Sequence, residues 1–123
     1  VRLGTDGPAS SGSGLDMANE ARVACLVQRH DHWDASALLA REAFAMATTG
    51  SQDWAVWNLN DIRMSPYGKD NERHISNLIY NGGQCLDLWV EGNPLMQSGK
   101  VTTVDEDKLL ETFNEAVNQY YSL

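Results

Sequence analysis

The sequence predicts an all-α protein, a compact antiparallel bundle of about five helices. Three observations carry that expectation. Apolar residues recur at helical spacing along most of the chain, caps and breakers fall between the stripes, and no internal repeat is visible. The chain has 123 residues, 42% of them hydrophobic, which suits one domain with a core of its own. It holds no apolar run long enough to span a membrane as a helix.

The opening stretch, Gly4-Thr5-Asp6-Gly7-Pro8-Ala9-Ser10-Ser11-Gly12-Ser13-Gly14, is rich in Gly and Ser and lacks periodicity. Residues 1–14 therefore read as a disordered linker or tag remnant, and residues 15–123 as a single helical domain. The chain starts at Val1 without a charged-then-apolar leader, as expected after removal of a signal or trimming.

A first helix is expected from Leu15 to about His30, with Ser13 as cap and Ala18, Ala21, Ala24 and Cys25 on one face. Its small residues allow close approach of a second helix, expected over Ala35 to Thr48 with Asp34 as cap and Ala37, Ala40, Phe44 and Ala47 inward. A third is expected from Gln52 to Met64, with Ala55, Leu59 and Ile62 on its stripe and Trp54 and Trp57 flanking it. Ser65-Pro66-Tyr67-Gly68 then forces a turn.

From Asn71 to Val90, the residues Ile75, Leu78, Ile79, Gly82, Leu86 and Trp89 fit a helical stripe, although Asn81-Gly82 between apolar runs is also a hairpin signal. The retained phase favours one helix, kinked at Gly82-Gly83 because each glycine costs about 1 kcal/mol relative to alanine. Gly92-Asn93-Pro94 ends that element. The last helix has a capping box at Thr103 and Glu106, with Leu109, Phe113, Ala116, Val117 and Tyr120 on one face.

The net charge of −8 repels nucleic acid phosphates and anionic lipid headgroups, and suits either simple solubility or a basic protein partner. No catalytic, cofactor or metal site is expected. His30, Asp31, His32 and Asp34 form the densest group of potential ligands, but a His-x-His pair diverges on a helix, and no His-Glu-x-x-His accompanies it. Cys25 and Cys85 fall inside apolar stripes, away from the helix starts and histidines that stabilise a thiolate. The cysteine count alone leaves free thiols and one disulfide equally open.

Ala24-Cys25-Leu26-Val27, taken with Gln84-Cys85-Leu86-Asp87-Leu88-Trp89 and Ala35-Ser36-Ala37-Leu38, resembles the helical immunity proteins that protect bacteria from type VI secreted peptidoglycan amidases. The likeness runs over roughly Asn19 to Trp89 in short motifs; the Gly82-Gly83 pair and the tryptophans of the third helix depart from it. It implies an all-helical periplasmic protein, not an enzyme, that binds a cognate cell-wall amidase and occludes its active-site cleft. It also implies a disulfide between Cys25 and Cys85.

On physical grounds the plug falls in the loop from Ser65 to Glu72, where Pro66 limits freedom and Tyr67, Lys69, Asp70 and Asn71 offer an aromatic and polar set. Trp54 and Trp57 are further partner-binding candidates, as are Leu95 and Met96 in the loop from Asn93 to Thr103. Two alternatives stand beside this reading: a small secreted hydrolase using Cys or His chemistry, and a helical module that pairs as a homodimer.

Overall fold

The computed structural model describes residues 1–7, 14–69 and 71–122. A helix forms over Met17–His32 (α1), where the Asp16 carboxylate accepts from the amides of Ala18 and Asn19 at 2.9 and 3.1 Å. Trp33 ends it in the left-handed conformation, its amide donating to His30 O. The expected cap Ser13 lies outside the described residues. A second helix, Ala40–Thr48 (α2), starts later than expected. Asp34 caps no helix: its Oδ1 accepts from the Ser36 amide and hydroxyl at 2.8 and 2.7 Å, folding the connection into a turn.

The chain then departs from the predicted bundle. Trp54–Trp57 is a strand (β1), followed by a turn and a short 3-10 segment at Ile62–Met64. After the helix Asn71–Asn81 (α3) come three strands, Cys85–Val90 (β2), Asn93–Gln97 (β3) and Lys100–Val101 (β4), and the helix Glu106–Tyr121 (α4). Asp105, rather than Thr103, caps α4 by accepting from the Lys108 amide. The all-α expectation is therefore corrected: helices share the chain with a four-stranded antiparallel sheet of order β1-β2-β3-β4.

The physical reasons are local. Trp54-Ala55-Val56-Trp57 is rich in aromatic and β-branched residues, and Cys85-Leu86-Asp87-Leu88-Trp89-Val90 ends on one of each. Gly82 has φ +73, a left-handed conformation that ends α3 where one continuous helix was expected. The β2–β3 turn has Glu91 and Gly92 at positive φ, and the β3–β4 turn Ser98 and Gly99, the backbone of a tight hairpin connection. Two carboxylates hold these turns: Asp53 Oδ1 accepts from the Glu91 amide at 3.0 Å, and Asp87 Oδ1 from the Ser98 amide at 2.8 Å.

The chain divides into two compact units: Val1–Ser51 with Asn58–Gln84, and Gln52–Trp57 with Cys85–Leu123. In the helical unit Ala21, Cys25, Ala40, Ala43 and Ile79 form a buried cluster, with Leu3, Leu38, Phe44, Ile75 and Tyr80 packed against it. Ala21 and Cys25 lie inward as their helical phase predicts, and the small side chains let α1, α2 and α3 approach closely. Leu3 also donates its amide to Met46 O at 3.0 Å, so the segment read as a linker reaches the core there; residues 8–13 of it lie outside the described residues. Ile62, expected on an inner stripe, is 86% exposed.

Candidate functional site

The loop expected to act as a plug belongs to the helical unit and is tied to α3. Asn77 Nδ2 donates to Met64 O and Pro66 O at 2.6 and 3.1 Å, and Asn81 Nδ2 donates to Arg63 O at 3.0 Å. Beside it Arg63 pairs with Asp61 and holds that carboxyl down at about 2. Tyr67 is 47% exposed and leans on the His74 ring at a centroid distance of 5.2 Å. Ser65, Pro66 and Lys69 are exposed, Asn71 begins α3, and Asp70 lies outside the described residues.

Trp54 and Trp57 belong to the sheet unit, on β1 rather than on a helix. Trp54 stacks on its cross-strand partner Trp89, with centroids 5.1 Å apart and planes at 11°, while Trp57 sits half-buried opposite Cys85. Leu95 and Met96, expected in an exposed loop, are half-buried on β3.

Cys25 and Cys85 are free thiols, the first fully buried on α1 and the second half-buried on β2, one in each unit. The structure thus does not draw the disulfide that the resemblance implied. Burial, reinforced by the Asp87 charge, pushes the Cys85 thiol up, which disfavours the thiolate a nucleophile needs. His32 is engaged by Gln28 O at 3.0 Å, and His30 by the Trp33 ring. Among the described residues no group of three or more His, Cys, Asp or Glu comes together as a metal site.

Backbone conformation brings out a residue that sequence reasoning set aside. Among the described residues, four that are not glycine have positive φ: Asp6, Trp33, Glu91 and Ser98. Trp33 caps α1, and Glu91 and Ser98 build hairpin turns. Asp6, at φ +55, does none of this. It is an exposed carboxylate held left-handed in Gly4-Thr5-Asp6-Gly7, with the Thr5 hydroxyl donating to its carbonyl at 3.2 Å. Aspartate tolerates that conformation better than most residues. Its only sequence signal was an acidic residue between glycines, in a stretch read as a linker.

No protein-family model matches the chain. It is similar to a 5'-deoxyadenosine deaminase of Methanopyrus kandleri, 30% identical over 99% of the chain and 32% of the relative. It is similar also to 5-methylthioadenosine/S-adenosylhomocysteine deaminases of Halalkalibacterium halodurans (32% identical, 89% of the chain, 28% of the relative) and Pyrococcus furiosus (31%, 95% and 31%). The chain spans about a third of the length of these relatives. An adenosine deaminase of Xanthomonas campestris, solved with bound zinc, shares the fold with a TM-score of 0.77 at 24% identity, over 99% of the chain and 31% of its own.

These likenesses overturn the immunity-protein resemblance and what hung on it. The relatives are deaminases by name, so the expectations of a non-enzyme, of an amidase partner and of a type VI inhibitor are corrected. The hydrolase alternative was the nearer reading. The described residues of this chain hold no group of three or more His, Cys, Asp or Glu that could by itself hold the zinc of the Xanthomonas protein.

Proposed function

We propose that the chain is part of a deaminase acting on adenine nucleosides of the 5'-deoxyadenosine and methylthioadenosine type. The observation that carries this reading is the identity of 30% with the Methanopyrus enzyme across 99% of the chain, including the Asp6 segment. The reaction replaces the exocyclic amine of adenine with an oxygen from water, releasing ammonia. A proton must leave the attacking water and another must reach the departing nitrogen. A carboxylate can serve both transfers, and Asp6, in the Gly4-Thr5-Asp6-Gly7 segment that the Methanopyrus likeness covers, is the group of this chain that we place there.

The experiment is a chimaera in which this chain replaces the matching third of the Methanopyrus deaminase. Ammonia release and the change of the adenine chromophore to hypoxanthine are followed with 5'-deoxyadenosine. Turnover is expected, and Asp6→Asn should lower kcat by about 100-fold or more while the melting temperature stays put. A folded chimaera that releases no ammonia would count against the reading.

A further inference from the structure

β2 is an inner strand, paired with β1 on one side and β3 on the other, yet all six of its residues are only half-buried. A sheet packed on one face alternates between buried and exposed positions, and β2 does not. Residues directly opposite one another share a face, so Ala55, Leu88, Met96 and Val101 form an apolar row across all four strands. None of the four is buried. The sheet is one layer of a structure that needs two.

α4 has the same want of a partner. Leu109, Leu110, Phe113, Tyr120 and Tyr121 recur at helical spacing and are between 57% and 81% exposed. Lys108, Glu111 and Glu115 fall on the opposite side of the helix, so the stripe is apolar from end to end. Within its unit α4 makes no more than marginal contact with any strand. A helix of 16 residues that includes Thr112, Val117 and three aromatic side chains is marginal in water without tertiary packing. At about 150–250 Å² for each aromatic side chain, the open stripe is on the order of 600 Å², the upper end of what a typical monomer exposes.

The length of the relatives supplies an occupant. About two thirds of the Methanopyrus deaminase lies outside its match to this chain, and the Xanthomonas fold match leaves a similar share of that protein outside. We infer that the apolar face of α4 docks on the part of a deaminase-length polypeptide that this chain does not match. The inference rests on the reading of the chain as part of a deaminase, and it adds the surface through which the parts are joined. A second copy of the chain suits the face less well. Two α4 stripes laid together would bury about 600 Å² per copy, where a stable interface takes about 800 Å². Each copy also carries a charge of −8, so their fields oppose approach.

The test is amide hydrogen exchange of α4 in the free chain and in the chimaera with the Methanopyrus deaminase, with sedimentation of the free chain beside it. The free chain is expected to sediment as a monomer whose α4 amides exchange with little protection. In the chimaera those amides should exchange about 100-fold more slowly or better. Phe113→Ser should remove about ten-fold of that protection, and in the free chain it should leave exchange in α1 and α2 unaltered. A chimaera with the Pyrococcus furiosus deaminase takes the place of the first should that one not fold. An α4 as open in a folded chimaera as in the free chain overturns the proposal. So does an α4 already protected in the free chain, whether as a monomer or as a dimer. Ammonia release reads the reaction separately: an active chimaera with an open α4 sinks the docking alone, and an inactive one with a protected α4 sinks the reaction alone.

Discussion

In the helical unit, Ala21, Cys25, Ala40, Ala43, Met64, Leu78 and Ile79 are buried; in the sheet unit no described residue is. The sheet unit nevertheless carries large apolar side chains, with Trp54 on β1 50% exposed and Phe113 and Tyr121 on α4 64% and 81% exposed. Helices of small residues close on one another and exclude water within this chain. The sheet unit is held instead by strand pairing, by the Trp54–Trp89 stack and by carboxylates on its turns. The contrast shows that amphipathic patterning reports a face suited to burial, not that the face is covered.

The largest expected effect tests that contrast directly. Ile79→Ala should destabilise the protein by about 3 kcal/mol in a denaturant melt, since the atoms removed are buried and leave a cavity. Phe113→Ala in the same melt should change stability by no more than about 0.5 kcal/mol. Comparable losses for the two would mean that α4 has a core of its own, and the contrast would fail.

Trp54→Ala should fall between these, at about 1 kcal/mol, because it removes the stacked cross-strand pair from an exposed position. A double-mutant cycle with Trp89→Ala isolates the stack, and a coupling near zero would leave backbone pairing as its substitute.

Gly82→Ala should cost about 1 kcal/mol through its left-handed φ alone, since an added Cβ there meets nothing closer than Arg63 Nη1 at 4.0 Å. Gly82→Asn, which tolerates that conformation better, should recover part of the loss in the same melt.

The smallest effect concerns pH. The Asp61 carboxyl is held down at about 2 by Arg63, so its contribution is present above the ordinary carboxylate value near 3.8 and is lost as pH falls toward 2. Asp61→Asn should lower the melting temperature slightly at neutral pH and flatten that acid-range dependence, so that the two proteins converge near pH 2. An identical acid limb in both proteins would show that the pair is too well solvated to matter.

The inward faces of α1 and α2 were legible because both helices meet partners within the chain, so periodicity and burial agree at Ala21, Cys25 and Ala40. The stripe through Leu78, Gly82, Leu86 and Trp89 kept its phase only by coincidence: Gly82 stops the helix, and Leu86 and Trp89 lie on a strand that pairs on both sides. Trp54 to Trp57 is four residues long, too short for period 2 and period 3.6 to be told apart. The loop at Ser65 was correctly placed as a connection, yet Asn77 and Asn81 bind it to α3, which no spacing in the sequence foretells. Asp6 was lost for a different reason. Glycine and serine around an acidic residue read as a tail, whereas Leu3 of the same stretch reaches the helical core and Asp6 takes a left-handed conformation.

The order in which the chain leaves the ribosome places a demand on β1. Among the described strands its register, from Trp54 opposite Trp89 to Trp57 opposite Cys85, pairs it with β2, which follows only after the stretch from Asn58 to Gln84 has been made. At ordinary elongation speeds that delay is about 1–5 s, during which two tryptophans and a valine wait for that partner. β2, β3 and β4, joined by tight turns, can zip together as each emerges. Newborn protein is therefore most vulnerable to self-association while α3 is being synthesised, and a slow codon in that interval would lengthen the risk more than one placed after Val101.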